Sequence, residues 1–381
     1  MSTCDRAHRN VSIHIDLAAI RHNLKQVRKA APDRKIFAVV KADAYGHGAE
    51  KILTALEDAD ALAVAHVAEA VALRQAGRIG PILVMQGFHS DEELALCRRA
   101  GLWPVIHNRY QLELIENRKM PDLECWVKFD TGMGRLGFVP ELAPTVQRKL
   151  RAVGVEVKGY MTHLASADRE NDLSTDRQIR AFKAIRWSGK ADRSVCNSAA
   201  LLARNDCPWE WVRPGIMLYG ASPFASQSRA ADKLGLQPAM RVTAPVTAIR
   251  NLKRGDRIGY GGNYECTEPT RVATIGAGYA DGYPRAAPGT TSVMLGNWRC
   301  PLLGRISMDT MAVDISALPV PPPLDYPVTL WGHAQLGVDE IARNIGTIPY
   351  ELLCTIRGKR TYLDAPVEGN VRQITANTMI D

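Results

Sequence analysis

Between residue 35 and about residue 215, short apolar runs alternate with longer amphipathic stretches. The apolar runs predict eight β-strands, at 36–40, 61–65, 82–85, 105–107, 126–129, 159–162, 193–196 and 210–212. The amphipathic stretches predict helices, with Ser90 and Ser174 as N-caps of two of them. Repeated strand–helix units favour a parallel sheet, and eight units in about 200 residues fit a (β/α)8 barrel of the TIM type. An open doubly wound sheet is the alternative, because short strands are easily miscounted.

The pattern changes near residue 235, where helical periodicity gives way to short strands separated by Gly, Pro, Asn and Asp. We predict strands at 240–247, 271–275, 291–294, 311–315 and 327–331, and a helix near 338–345. Such spacing is typical of a compact, mostly β domain. The expected division is therefore a barrel domain over 1–235 and a β-rich domain over 236–381.

Composition predicts a soluble globular protein, since 46% of the residues are hydrophobic and 23% are charged. The longest apolar-rich stretch, 61–73, is too short to cross a bilayer. The N-terminus lacks the apolar core of a signal peptide, and the eight cysteines form no C-x-x-C pair. We therefore expect reduced thiols, a cytoplasmic location, and no membrane or metal partner.

The net charge of +8 raises the question of an anionic partner. The most basic stretch carries Arg177, Arg180, Lys183 and Arg186, spaced by three along a predicted helix. It lacks base-stacking aromatic residues in register and any nucleic-acid motif. We interpret it as a solvated helix face and expect no nucleic-acid partner.

The first predicted strand ends abruptly at Lys41, and a polar turn follows it. Burial at a strand end would favour the neutral amine, which condenses with aldehydes to form a Schiff base. The alternative is a lysine whose chain reaches solvent from the strand end.

In a barrel of this kind, active-site groups belong at the carboxyl ends of the strands. Other predicted strands end in Lys128 with Arg135 beyond it, in His163, in Asn197 and Ser198, and in Arg213 followed by Gly215 and Ile216. Each of these residues alone could be structural. Together they place a nucleophile, an imidazole and guanidinium groups on one rim.

The loops after the seventh and eighth strands often hold a phosphate in such barrels. The Ser198 hydroxyl and the backbone amides near Gly215 and Ile216 are donors of the kind that a phosphate dianion needs. A Schiff-base lysine and a phosphate site on one rim indicate pyridoxal 5′-phosphate (PLP), an aldehyde that carries a phosphate.

A competing motif is G-x-G-x-x-G at Gly132, Gly134 and Gly137, with Glu156 downstream. In a dinucleotide site the acidic residue closes its strand at the ligand edge, whereas Glu156 lies early in its predicted strand. We therefore reject dinucleotide binding.

These segments resemble the alanine racemase family over roughly residues 11–355. The resemblance is carried by eight motifs in order: AVVKADAYGHG (38–48), VKFDTGMGRLGF (127–138), MTHLASAD (161–168), NSAA (197–200), VRPGIMLYG (212–220), IGYGGNY (258–264), GAGYADGYPR (276–285) and GRISMD (304–309). The family's fold, a PLP-binding barrel followed by a β domain, matches the two-part pattern.

The resemblance implies two catalytic bases on opposite faces of the substrate, Lys41 and Tyr260, with Lys41 also carrying PLP. Arg213 would contact the pyridine nitrogen, where an always-charged arginine is a poor proton donor and favours racemisation over transamination. Arg135 would contact the phenolic oxygen of PLP and lie near the substrate carboxylate. His163 would lie over the ring.

The resemblance implies further roles at the periphery of the site. Phosphate contacts would come from Tyr45, Asn197, Ser198, Gly215 and Ile216. Met308 would bind substrate, Tyr279 and Arg305 would line the entrance, and Lys128 would be a candidate for carbamylation. The β domain would complete the partner subunit's site in a homodimer with shared sites.

Residues 357–381 depart from the family pattern, with Gly358 at an aligned position and Tyr362 out of register. The sequence leaves open a biosynthetic or a catabolic role. It also leaves open a serine or broad-specificity racemase, a non-catalytic PLP-homeostasis protein and, less favoured because of Arg213, a PLP decarboxylase. A homeostasis protein would lack the β domain with Tyr260.

Overall fold

The computed structural model describes residues 9–169, 172–204 and 209–364. The described strands are β1 (Ser12–Asp16), β2 (Lys35–Val39), β3 (Ala61–Val64), β4 (Ile82–Val84), β5 (Trp103–Ile106), β6 (Glu124–Lys128), β7 (Glu156–Met161), β8 (Asp192–Asn197), β9 (Trp211–Arg213), β10 (Met240–Leu252), β11 (Arg257–Ile258), β12 (Tyr264–Glu265), β13 (Thr270–Ile275), β14 (Ser292–Leu295), β15 (Trp298–Leu303), β16 (Met311–Asp314), β17 (Pro327–Trp331) and β18 (Lys359–Leu363).

Besides short 3-10 turns, the described helical segments are α1 (Leu17–Ala30), α2 (Lys41–Gly46), α3 (Val67–Gln75), α4 (Asp91–Arg99), α5 (Arg109–Arg118), α6 (Ala143–Ala152), α7 (Ser174–Ala184), α8 (Ser198–Ala203), α9 (Val338–Ile345) and α10 (Pro349–Thr355). The chain forms two compact units. One spans Arg21–Leu218, and the other joins the N-terminal part of the chain up to Ile20 with the part from Tyr219 onward.

Strands β2 to β9 form a closed, parallel barrel in chain order. The ring closes where β2 pairs with β9, with Ile36 opposite Val212. Strands β3 and β4 are buried throughout, as expected for parallel strands covered on both faces. The prediction of a (β/α)8 barrel is therefore confirmed.

Aromatic side chains fill the barrel towards the amino ends of its strands. Phe37 stacks on Trp211 with ring centroids 4.0 Å apart, and Trp126 contacts Phe37 edge-on at 5.2 Å. A Cβ on Gly159 would lie 2.4 Å from Trp126, so only glycine leaves room for this ring. With this end closed by packing, polar chemistry is left to the opposite end of the strands.

The second unit is a mostly antiparallel sheet in the order β13-β16-β15-β14-β17-β10-β1-β18, and β13 also pairs with β10. The mostly β second domain is therefore confirmed. The boundary between 1–235 and 236–381 stays a prediction. Two strands that we did not predict, β1 and β18, run parallel in this sheet, with Ile15 opposite Tyr362.

Gly358 has a steric explanation in this sheet. A Cβ at this position would lie 2.4 Å from the Val11 carbonyl oxygen, which accepts a hydrogen bond from the Lys359 amide at 3.0 Å. The departure from the family pattern at Gly358 is therefore compatible with the pairing of β18 and β1. The part of the predicted tail beyond residue 364 lies outside the described residues.

Local predictions met mixed outcomes. Ser90 is the N-cap of α4, where its Oγ accepts from the Glu93 amide at 3.2 Å. The prediction of Ser174 as an N-cap is wrong, because α7 begins at Ser174 and Leu173 holds the N-cap position.

The expectation of reduced thiols is wrong at Cys196, which is disulfide-bonded. The described cysteines outside a disulfide are Cys97, Cys125, Cys266, Cys300 and Cys354.

The basic residues Arg177, Arg180, Lys183 and Arg186 are all exposed, as the interpretation of a solvated helix face requires. Within the described part of the chain, no helix combines the length and the apolar character needed to span a membrane.

Candidate active site

The chain makes a left-handed turn directly after Lys41. Residues 42–45 all have φ of 53–54° and ψ of 43–51°. For residues with a side chain, this conformation costs roughly 1–2 kcal/mol each, and four in succession are unusual. Surrounding interactions must therefore stabilise the turn, and backbone strain of this kind is concentrated at functional sites.

Side chains within the turn supply part of that stabilisation. Asp43 Oδ1 accepts from the Ala49 amide at 2.8 Å. Nδ1 of the buried His47 lies 2.9 Å from the Ala44 carbonyl oxygen and 3.0 Å from the Tyr45 carbonyl oxygen. A protonated Nδ1 donates a hydrogen bond to these two oxygens. These contacts hold the backbone of the turn that carries the buried Tyr45.

A cluster of cationic groups lies at the carboxyl ends of the barrel strands. Lys128, the last residue of β6, is only 9% exposed. Burial, together with the charges of Arg213, Arg135 and Lys41, lowers the pKa of Lys128 to about 7. Burial and the charges of Arg213, Lys128, Arg135 and Lys41 also lower the pKa of His163 well below its ordinary value. The rim is therefore an electropositive site with buried charges at Lys128 and Arg213, and it suits an anionic ligand.

Arg213 is 5% exposed and firmly held. Its Nη1 donates to Ser194 Oγ at 2.5 Å, and its Nη2 donates to the carbonyl oxygens of Thr162 at 2.6 Å and Val195 at 3.3 Å. Nη2 also lies 3.4 Å from Nδ1 of His163, which accepts in the neutral form of the ring. Burial lowers the pKa of Arg213 to about 10, so the guanidinium stays charged at neutral pH.

The loop after β6 is organised around one carboxylate. Asp130 accepts from the amides of Gly132 at 2.9 Å, Met133 at 2.8 Å and Arg135 at 2.9 Å. Burial raises the pKa of Asp130, but these donors and the Gly134 amide outweigh it and leave the pKa below its ordinary value. The glycines that resembled a dinucleotide motif thus belong to a loop that positions Arg135.

The loop that carries His163 is held from α7. Gln178 donates to the His163 carbonyl oxygen at 2.9 Å and accepts from the Ala165 amide at 2.9 Å. The neighbouring loops are joined by Thr131 and Thr162, whose hydroxyl oxygens lie 2.8 Å apart. The imidazole is therefore presented by a fixed backbone.

The loops after β8 and β9 meet beside Tyr45. Ser198 Oγ accepts from the Gly215 amide at 2.9 Å, and a Cβ on Gly215 would lie 2.4 Å from Tyr45 Oη. Only glycine therefore leaves space beside this hydroxyl. The Ser198 hydroxyl and the amides of Gly215 and Ile216 can donate hydrogen bonds, and Asn197 lies beside them at the N-cap of α8. Groups of this kind are suited to a phosphate. The residues present therefore fit the phosphate of PLP.

In the second unit, Tyr260 lies on a 3-10 turn (Tyr260–Gly262) after β11 and is 69% exposed. Arg305 packs beside Gly259, which precedes this turn. With the Asn263 amide oriented to satisfy both of its ends, its oxygen accepts from Nε and Nη2 of Arg305 at 2.7 and 2.9 Å. Arg305 is therefore fixed next to the segment that presents Tyr260.

Tyr279 and Met308 come together through their backbones. The Tyr279 amide donates to the Ser307 carbonyl oxygen at 3.1 Å, and the Ala280 amide donates to that of Met308 at 3.0 Å. The side chains of Tyr279 and Met308 are 39% and 53% exposed. These are large apolar groups to leave in solvent, which is typical of a surface that another molecule covers.

The structure divides the predicted site residues between the two units. The barrel unit holds Lys41, Tyr45, Lys128, Arg135, His163, Asn197, Ser198, Arg213, Gly215 and Ile216. The second unit holds Tyr260, Tyr279, Arg305 and Met308.

Sequence reasoning missed residues that support the site through hydrogen bonds, among them Ser194, Gln178 and Glu69. Glu69 had a usable signal, since it lies three residues after the N-cap of α3 as in a capping box. Ser194 had none, because its contact with Arg213 arises only from the pairing of β8 with β9.

The models of two domains of one protein family match the chain. The alanine racemase N-terminal domain covers residues 15–223, and the alanine racemase C-terminal domain covers residues 239–362.

Curated relatives match over nearly their whole length. An alanine racemase of Thioalkalivibrio sulfidiphilus is 46% identical over 350 residues, which is 91% of this chain and 96% of the relative. A catabolic alanine racemase of Pseudomonas putida is 42% identical over 347 residues, or 90% and 96% of the two chains.

Solved structures agree with this assignment. The biosynthetic alanine racemase of Pseudomonas aeruginosa superposes with a TM-score of 0.87 at 41% identity, covering 93% of this chain and 99% of that one. An alanine racemase of Bartonella henselae, described with covalently bound pyridoxal phosphate, gives a TM-score of 0.83 at 28% identity, covering 93% and 99%.

Proposed function

Because this chain belongs to the alanine racemase family, we propose that it interconverts L- and D-alanine with PLP, using Lys41 and Tyr260 as its two bases. The observation that carries the proposal is the cluster of buried and half-buried groups at the barrel rim. The charge of Lys41 acts on Lys128 and on His163, and the charge of Arg213 acts on the same two groups. A PLP enzyme needs this combination of an amine, a phosphate site and a group for the pyridine nitrogen.

When bound, PLP supplies an electron sink that makes the Cα proton of an amino acid removable. Lys41 would hold its aldehyde carbon. Tyr45, Ser198, Asn197 and the amides of Gly215 and Ile216 would hold its phosphate. His163 would contact the ring and restrict its motion.

Racemisation requires that a proton leave one face of Cα and return to the other, because a single base would largely return the proton it took. Lys41 would hold or deliver the proton on one face through Nζ, and Tyr260 would do so on the other through Oη. Arg135 would orient the substrate carboxylate, since a planar guanidinium matches a carboxylate. Met308 would contact the substrate, and Tyr279 and Arg305 would restrict access.

Arg213 would direct the reaction towards racemisation. Its Nη1 and Nη2 already donate to Ser194, Thr162 and Val195, so the group that would contact the pyridine nitrogen is held in place. It remains charged at neutral pH and gives up a proton poorly. With such a poor proton donor at this position, prompt return of the proton to Cα would be favoured over transamination.

We propose that the active enzyme is a homodimer in which each Tyr260 serves the partner's barrel. The exposure of Tyr260, Tyr279 and Met308 supports this, because a base must be shielded from bulk water to act in both directions. A two-fold dimer would use the same surface on both copies.

Lys128 is proposed as a site of carbamylation. A pKa of about 7 leaves much of its amine neutral, which is the form that adds CO2. The resulting carbamate would be an anion facing Arg135 and Arg213, and it would replace the repulsion among these cations by attraction.

The test of this function is racemisation across an amino-acid panel, together with borohydride reduction of the PLP-loaded protein and mapping of the adduct. We expect alanine to be the fastest substrate and the adduct to lie on Lys41. Lys41→Ala should abolish both, whereas Lys51→Ala, an exposed lysine ten residues on, should change neither. Faster turnover of serine would assign the chain to the serine or broad-specificity alternative. PLP binding without racemisation would favour the homeostasis alternative.

The physiological direction, towards D-alanine for peptidoglycan or L-alanine for catabolism, is not fixed by the site. Relatives described as biosynthetic and as catabolic match at 41% and 42% identity. A deletion strain tested for D-alanine auxotrophy and for growth on alanine would separate the two roles.

A further inference from the structure

Three consecutive barrel helices begin with the same device. Glu69 of α3, Glu93 of α4 and Gln111 of α5 each occupy the third helical position. Each accepts from a backbone amide just before its own helix, with Glu93 Oε2 2.6 Å from the His89 amide and Gln111 Oε1 2.9 Å from the His107 amide. The device satisfies amides that a helix start leaves without partners.

Glu69 differs from Glu93 because it uses its two oxygens for different loops. Oε2 accepts from the amides of Ala65 at 2.8 Å and His66 at 3.1 Å, which is the capping contact. Oε1 accepts at 2.7 Å from the amide of Ala42, in the preceding loop of the barrel. One carboxylate therefore joins the start of α3 to the residue that follows Lys41.

Ala42 is the first residue of the left-handed turn, with φ of 54° and ψ of 50°. The turn is intrinsically unfavourable, so its first residue needs an external partner if the direction of the chain after Lys41 is to be fixed. A hydrogen bond from an amide to an ionised carboxylate is stronger than one between neutral groups. Glu69 is suited to this task, and its position on a regular helix makes it a rigid anchor.

We propose that Glu69 is a positioning residue for Lys41: it holds the Ala42 amide and thereby fixes the strained turn from which the Lys41 amine is presented. The inference rests on the proposed role of Lys41 in carrying PLP. It assigns no contact between Glu69 and the substrate or PLP. It also distinguishes Glu69 from Glu93, which performs the same capping task without reaching the Lys41 loop.

This difference provides a matched pair of variants. Glu69→Ala and Glu93→Ala each remove one cap from neighbouring helices of the barrel, so their melting temperatures should fall by similar amounts. Only Glu69→Ala should weaken PLP binding, with a rise of about tenfold in Kd, and slow the appearance of the visible absorbance of bound PLP. Glu69→Gln offers a single oxygen and should fall between the wild type and Glu69→Ala.

Amide hydrogen exchange of the full-length protein, without and with PLP, gives a readout that is independent of activity. In Glu69→Ala, the peptide that covers residues 41–48 should exchange several-fold faster than in the wild type, and in Glu93→Ala it should be unchanged. Equal exchange and equal PLP affinity in the two alanine variants would overturn the inference. If instead the wild type formed no adduct on Lys41, the proposed function would fail, and the exchange result would still report on the turn.

Discussion

At the barrel rim, charged groups are buried and tightly held, whereas the predicted site residues of the second unit lie exposed on turns. Arg213 and Lys128 are 5% and 9% exposed, and Tyr260 and Met308 are 69% and 53% exposed. The backbone supports differ in the same way. Asp130, Gln178 and Ser194 fix the rim from inside one unit, while Tyr260 projects from a short hairpin of β11 and β12.

The difference indicates how the two halves of the proposed site would acquire their properties. The barrel half is organised by a single chain, because parallel strands bring distant residues to one edge. The exposed half can become a dry environment only when another surface covers it. We therefore expect a separated subunit still to bind PLP through its barrel residues. The action of Tyr260 as a base should require the assembled dimer.

The sharpest test of the exposed half is Tyr260→Phe, which removes only a hydroxyl. We expect the racemisation rate to fall about 1,000-fold, because one of two general bases is lost. Exchange of the Cα hydrogen for deuterium should persist from one enantiomer alone, as Lys41 still serves its own face. Tyr264→Phe, on the paired strand of the same hairpin, is the control. Unchanged exchange from both enantiomers would remove Tyr260 from the mechanism.

Mixing two inactive variants tests whether the halves come from different chains. Lys41→Ala and Tyr260→Phe homodimers should both be nearly inactive. After subunit exchange at equal amounts, random pairing should restore about a quarter of wild-type activity, since half of the dimers then contain one intact site of two. Activity that stays at the level of the separate variants would place both bases in the same chain.

A substitution at Lys128 would measure how much the buried charge of this residue costs the stability of the barrel. Its pKa of about 7, against the ordinary 10.5, means that the unfolded chain binds more protons than the folded chain between these values. The free energy of unfolding should therefore rise with pH across this window. Lys128→Met should flatten the dependence and stabilise the protein at pH 7 by roughly 1–4 kcal/mol.

Denaturant titrations between pH 6.5 and 10 would measure this effect, with the exposed Lys25→Met as control. Added bicarbonate should stabilise the wild type and leave Lys128→Met unaffected if Lys128 becomes a carbamate. A bicarbonate effect of equal size in both proteins would contradict the proposed modification.

The smallest expected effect concerns Ser194, whose hydroxyl lies behind Arg213. Ser194→Ala deprives Nη1 of an acceptor in a buried site and should destabilise the protein by about 1–2 kcal/mol. With Arg213 less firmly placed, kcat should fall a few-fold, and transamination per turnover should increase. Ser222→Ala removes a similarly buried serine of the second unit and should alter stability only. A shift in the transamination ratio in both variants would show that the effect is not specific to Arg213.

Much of the fold was predictable because the barrel strands are short, apolar and regularly spaced, so each run marks one strand. The strands that we missed include β11, β12 and β15 as well as β1 and β18. Strands β1 and β18 carry mixed polar residues, and their pairing joins the two ends of the described chain. No local pattern reports a partner more than 300 residues away. Ser174 failed as an N-cap because the helix starts one residue earlier than its sequence signal indicates.

The sequence by itself determined the order of the strand ends, and with it which residues could meet at the barrel rim: Lys41, Lys128, His163 and Arg213. Only the tertiary structure decided how these groups are held, because hydrogen bonds such as Arg213–Ser194 and Ala42–Glu69 join separate elements. The tertiary structure also decided the left-handed conformation of the turn after Lys41, because the backbone preferences of Ala, Asp and Tyr oppose that conformation. Periodicity specifies which face of an element is buried, whereas the distance between two atoms on different elements depends on the whole packed barrel.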